Sequence, residues 1–288
     1  MKTRLLFLLL LAVNFISAQD NLSKLEFTEL RFAQLYTKQI IDKETLKPLA
    51  YVNVGTVNNF NGAVSDENGF FRLGIIDEYN TDTLRFSYIG YETLNIPVAV
   101  FKVMIDEKIA LKRKENLIES LEKPTRFKEK IIRNKRPLLE AVITLGNGNG
   151  EENGILLPIK KRSFLKEFSM PVIYRNNDTD SLIFRLNFYR QTSKTDFVTI
   201  LNEPIYVCRK LNNGRQNITV DLTPYNIVVA ENTLVTVESI KQQKEGYFYM
   251  VGKFFFGKKT FRRGISQYDL HKMPTINMCM GVTADVER

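Results

Sequence analysis

Apolar and polar residues alternate in short runs along most of this chain, the two-residue period of strands with one buried face. In the first third these runs are Ala50-Tyr51-Val52-Asn53-Val54, Gly69-Phe70-Phe71-Arg72-Leu73 and Thr83-Leu84-Arg85-Phe86-Ser87-Tyr88. Polar turn clusters separate them, Asn58-Asn59-Phe60-Asn61-Gly62 and Asp66-Glu67-Asn68-Gly69. Asp and Asn bond nearby backbone, and the closing glycine accepts a positive φ. The pattern returns in Ser181 to Tyr189, Asn217 to Leu222, Leu234 to Glu238 and Tyr247 to Val251. No amphipathic helix interrupts that second set. Short strands about 8–12 residues apart predict sandwiches rather than alternating strands and helices. The expected fold class is all-β: one sandwich over residues 36–111 and a jelly-roll-like one over residues 141–288.

Between them the composition changes. Lys112-Arg113-Lys114-Glu115 opens a charged stretch, and Lys123 to Arg136 continues it, with Pro124 and Pro137 interrupting any long helix. Residues 112–140 therefore read as a solvated linker holding a short helix or an edge strand, or more sharply as a membrane-surface patch. At the other end, Lys2 and Arg4 precede an apolar run from Leu5 to Val13, followed by Ile16-Ser17-Ala18. That is the layout of a secretory signal over residues 1–18. The run is shorter than the roughly 20 residues needed to cross a bilayer. The expectation is export to the periplasm or the outer membrane and cell surface, with no transmembrane segment after the leader.

Three segments carry a family resemblance. Ile41 to Val54 is similar to an opening strand, turn and second strand. Gly62 to Phe71 is similar to a hairpin with a Gly-tipped turn, and Leu84 to Glu92 carries an aromatic-Ile-Gly-Tyr corner. In this order they resemble the carboxypeptidase regulatory-like family, which implies a transthyretin-like β-sandwich without catalytic machinery. The resemblance also implies company, because such domains often stand before TonB-dependent outer-membrane transporters. Phe184 to Tyr189, Val220 to Tyr225 and the Arg262-Arg263 strand look like the domain that follows it in secreted proteins of diderm bacteria.

The net charge of +9 is spread along the chain, and export argues against a nucleic-acid partner. His271 is the only histidine, so a zinc peptidase with two His ligands is excluded. Any Ser-His-Asp arrangement would hang on that one side chain. Gly264-Ile265-Ser266-Gln267-Tyr268 lacks the closing glycine of a nucleophile elbow. The 146–154 Gly/Asn loop lacks the Lys-Ser/Thr of a phosphate cradle. Asp66 and Glu67 supply too few oxygens for calcium, which takes about 6–8, and Asn177 to Ser181, a polar turn that could hold calcium, reads as a plain turn before a strand. No catalytic, cofactor or metal residue is therefore assigned. Glu203, Asp221 and Glu238 are the acidic candidates for glycoside cleavage, with no spacing that unites two of them. Phe254-Phe255-Phe256 and Tyr247 read as core rather than as sugar platforms, and Asn21, Asn177 and Asn217 are sequon-like. Cys208 and Cys279 are either one disulfide or two free thiols. The expected function is an exported non-catalytic binding or scaffold protein, its partner an outer-membrane transporter component or a glycan. A glycan-binding module is the alternative, and a glycoside hydrolase with an unrecognised carboxylate pair the weakest one.

Overall fold

The computed structural model describes residues 33–288 apart from 116–120, 134–139, 147, 176–181, 195, 242–246, 255–259 and 274–275. The 1–18 leader, Asn21, the turn Asn177 to Ser181 and the aromatic run at Phe255 and Phe256 lie outside the described residues, as do the side chains of Tyr247 and Phe254. The first part runs β1 (Gln34–Asp42), β2 (Asn53–Thr56), β3 (Gly62–Val64), β4 (Phe70–Ile75), β5 (Thr83–Ser87) and β6 (Leu94–Pro97). A six-residue helix, α1 (Val98–Val103), and β7 (Lys108–Leu111) complete it.

These strands form two small sheets, β4-β1-β7 and β3-β2-β5-β6. The alternation seen in the sequence sets their faces. Phe71, Leu73 and Ile75 of β4, Val54 of β2, Leu84 and Phe86 of β5 and Ile109 of β7 point into a shared core with Phe101 of α1. In the turn before β4 the Asp66 carboxylate accepts from the amides of Asn68 (2.9 Å) and Phe70 (2.8 Å), while Gly69 takes φ 77°. Asp66 is thereby used up as a turn former, the role its position predicts.

Asp42, at the end of β1, pins this sandwich. Its buried carboxylate accepts from Tyr91 Oη (2.7 Å), Arg113 Nε (2.8 Å) and the amides of Glu44 and Thr45 (2.9 Å each). The Tyr91 hydroxyl first, then the Thr45 amide, hold the carboxyl well below the usual carboxylate range, and burial opposes them only in part. An unfolded Asp titrates near about 3.9, so this stabilisation is complete above that pH and is lost as pH falls through the lower folded value. Asp42→Asn should therefore cost about 1.5–3 kcal/mol at neutral pH and flatten the loss of stability on acidification. Urea midpoints measured along a descending pH series check this; an equally steep acid dependence in the variant would contradict it.

The second part continues with β8 (Phe127–Arg133), β9 (Glu140–Thr144), β10 (Glu152–Leu157), β11 (Ser163–Arg175), β12 (Leu182–Gln191), β13 (Phe197–Thr199) and β14 (Ile205–Arg209). Then come β15 (Gly214–Asp221), β16 (Val228–Val229), β17 (Thr233–Ser239), β18 (Tyr247–Phe254), β19 (Thr260–Arg263), β20 (His271–Met273), β21 (Ile276–Met278) and β22 (Gly281–Glu287). One sheet runs β13-β12-β17-β10-β19-β20, with β14 also on β12. The other runs β21-β18-β11-β22-β8, with β15 and β16 on β11 and β9 on β18. Phe184, Leu186 and Phe188 of the first face Phe168, Met170 and Val172 of the second across one core.

The thirteen-residue β11 is one of the strands that periodicity did not isolate. Pro171 sits in its middle, where a proline argues against a central strand. The register resolves this. On one side β11 pairs with β22 up to Ser169 and with β18 from Val172. The missing N–H of Pro171 falls at the change of partner. The 112–140 connector holds an edge strand, β8, which pairs along its whole length with β22. Cys208 is exposed on β14 and Cys279 is buried between β21 and β22; both are free thiols in this structure, and burial pushes the Cys279 thiol up.

Candidate binding cleft and the contact between the sandwiches

The strand β12 supplies the site-forming residues on the face turned away from the core. Phe184, Leu186 and Phe188 point inward, so Arg185, Asn187 and Tyr189 point outward. Such a face is solvated in a simple sandwich, but Arg185 is 2% exposed, Asn187 2% and Glu238 of β17 1%. The first sandwich and the 264–270 segment cover it.

Beneath that cover lies a connected ionic network. Arg185 grips Glu238 with both arms of its guanidinium, Nε to Oε2 at 2.9 Å and Nη2 to Oε1 at 2.8 Å. Asn187 Nδ2 donates to Glu238 Oε2 (2.6 Å) and to Glu152 Oε1 (2.8 Å). Tyr189 Oη donates to Glu152 at 2.7 Å, Thr236 Oγ1 donates to it as well, and Arg263 Nη1 lies 3.2 Å from its other oxygen. Burial alone would raise the Glu238 carboxyl; the attraction of Arg185 and the donated bonds bring it below its ordinary value. Burial raises the Tyr189 hydroxyl, which stays a donor.

The network reaches into the first sandwich. Arg185 Nη1 donates to the Tyr51 carbonyl at 2.8 Å, and Gln267 Nε2 donates to the Asn53 carbonyl (3.0 Å) and Ser87 Oγ (2.7 Å). Tyr206 Oη meets Tyr88 Oη at 3.1 Å, and Lys241 pairs with Glu67 at 2.6 Å. Tyr51 (φ 60°) and Gln267 (φ 66°) both hold left-handed backbone, a cost of about 1–3 kcal/mol each that persists only where the surroundings over-determine it. The approach is close. A Cβ on Gly55 or Gly62 would stand 2.5 or 2.6 Å from the Ser266 carbonyl oxygen.

Beside this contact a cleft of about 880 Å³ opens at the end of the larger sandwich, where β13 and β16 bring the edges of the two sheets together. Buried Leu201, Ile227 and Val229 line its inside. Exposed Arg190 and Glu231, 3.8 Å apart, stand on its rim. The start of the connector contributes Arg113, which Asp42 of the first sandwich holds at 2.8 Å and which stacks over the Tyr91 ring. The volume falls within the range of small-molecule pockets, about 300–1,000 Å³.

The acidic candidates are scattered. Glu203 lines the cleft, Asp221 is exposed and bonds the Thr223 amide and hydroxyl, and Glu238 is locked to Arg185. Glu152, whose Oε1 shares Asn187 Nδ2 with Glu238, is the carboxylate that sequence reasoning missed. The pair lies sealed under the first sandwich, neutralised by Arg185 and Arg263. Its only sequence signal is the pair Glu151-Glu152 where a strand begins and Arg262-Arg263 inside another. Ser266 is buried against Gly150, and His271 is exposed beside Tyr268. The Gly/Asn loop is tied down: Ser239 Oγ accepts from the Gly148 amide (2.8 Å), and the Gly150 amide donates to the Ser239 carbonyl (3.0 Å). Among the described residues no three His, Cys, Asp or Glu side chains group as metal ligands, and no helix is long and apolar enough to cross a membrane.

Two solved structures of infectious bursal disease virus align weakly with the chain, titled "Crystal structure of infectious bursal disease virus VP2 subviral particle" and "Structure of infectious bursal disease virus Gt strain". Identity is 9% in both, over 88% of this chain and 64% of the viral one, with TM-scores of 0.21 and 0.19. The chain thus spans under two thirds of their length. No curated protein matches it. Residues 38–121 match the family model described as CarboxypepD_reg-like domain, so this part of the chain, the first sandwich and the start of the connector, belongs to that non-catalytic regulatory-like family.

Proposed function

We infer that the protein is an exported, non-catalytic binding or scaffold component of the cell envelope, and that it engages its partner at the cleft. The observation that carries this reading is the construction of the cleft. A regulatory-like domain supplies Arg113 at the rim, while the larger sandwich supplies an apolar interior and two sheet edges. The leader-like N-terminus and the company kept by such domains support an envelope location and an uptake-system partner. The separation of Glu203 and Asp221 from the sealed Glu152–Glu238 pair supports binding without turnover.

Site-specific photo-crosslinking tests this. A photoreactive residue at Val198, on the cleft wall and 48% exposed, is expected to trap an outer-membrane protein in intact cells. The same residue at Thr219, exposed on β15, is expected to trap none. Saturable binding on a glycan array with no protein adduct would favour the glycan-binding alternative. Release of reducing sugar from a polysaccharide, or a cytosolic fraction retaining the leader, would overturn the reading.

A further inference from the structure

We propose that the free edge of β8 is a second interaction surface, which takes an extended acidic segment of a partner polypeptide as an added strand. β8 is the outermost strand of the eight-stranded sheet, and no described residue pairs with its far side. Its ladder with β22 fixes which groups face outward. Arg288 N donates to the Arg126 carbonyl and Glu287 stands opposite Phe127. In antiparallel pairing the even-numbered residues 128, 130 and 132 therefore bond to β22. The N–H and C=O groups of Phe127, Glu129, Ile131 and Arg133 point away from it. Arg288 Nε covers the Phe127 carbonyl at 3.0 Å, which leaves Glu129, Ile131 and Arg133 as the open template.

The side chains specify the occupant. Lys128 and Lys130 project from one face of the strand, opposite Val286 and Ala284, and with Arg126 and Arg133 they are exposed cations without an ion pair among the described residues. The one acidic residue on the strand, Glu129, is taken by Lys166 at 2.5 Å. The other face carries Phe127 and Ile131, 44% and 61% exposed. An added strand that alternates carboxylates with apolar residues would lay its charges against Lys128 and Lys130 and its apolar side chains against Ile131. Cross-strand pairs of this kind contribute about 0.2–1 kcal/mol each on top of the backbone bonds. A second copy of the chain is the poorer occupant, because β8 against β8 sets lysine opposite lysine in the antiparallel registers centred on residues 128, 129 and 130.

The test uses the intact protein and a fluorescent synthetic peptide that alternates glutamate with valine, read by anisotropy. Saturable binding that weakens with salt is expected, and Lys128→Glu with Lys130→Glu should weaken it about tenfold or more. Ile131→Pro removes an outward N–H while sparing the ladder with β22. It should abolish binding with an unchanged circular dichroism spectrum. A scrambled peptide of equal charge that binds equally well, or binding indifferent to Ile131→Pro, would reduce the effect to unspecific attraction and overturn the proposal. Equal binding of anionic lipid vesicles in both variants, or self-association through β8 in sedimentation, would also overturn it.

Discussion

Glu238→Ala is expected to destabilise the protein by about 3–5 kcal/mol, among the largest single-residue effects in the molecule. The substitution leaves Arg185, 2% exposed, without its carboxylate, and an uncompensated buried cation costs far more than the pair contributes. It also strips one acceptor from Asn187. Replacing the pair together, Arg185→Met with Glu238→Leu, is expected to recover much of the loss, since apolar residues of similar volume often substitute for buried ion pairs without penalty. Recovery should stay incomplete because Arg185 also donates to the Tyr51 carbonyl. Chemical denaturation of the single and double variants checks this. An alanine variant within about 0.5 kcal/mol of the parent would mean that water reaches the network.

Phe86→Ala is expected to cost a similar amount, about 3–5 kcal/mol. The ring is fully buried, edge-on to Phe71 at 5.8 Å and tilted against Phe101 at 6.3 Å. Rigid strands and α1 surround it, so the cavity has little chance to collapse. Phe86 lies in the first sandwich only, yet its loss should lower the stability of the whole chain, because Arg185, Gln267, Tyr206 and Lys241 bind the two sandwiches together.

The strands with clean alternation were legible in the sequence, as was the turn at Asp66 to Gly69, because period and turn chemistry are local properties. β11 was not, because its tolerance of Pro171 depends on where β22 and β18 exchange places beside it. The network was illegible for a related reason. Arg185 and Asn187 occupy the polar positions of a half-buried strand, and only tertiary docking turns that face inward. The acidic candidates show the same limit. Glu238 was singled out, but its companion Glu152 comes from a strand distant in sequence, and the cleft forms where β13, β16 and Arg113 meet.

That the two sandwiches behave as one body is the claim on which a shared cleft depends, and scanning calorimetry of Phe86→Ala beside the parent protein addresses it most directly. A single transition in both, displaced as a whole to lower temperature in the variant, is the expected outcome. A variant trace that splits, with one transition falling and the other staying at the parent temperature, would contradict it.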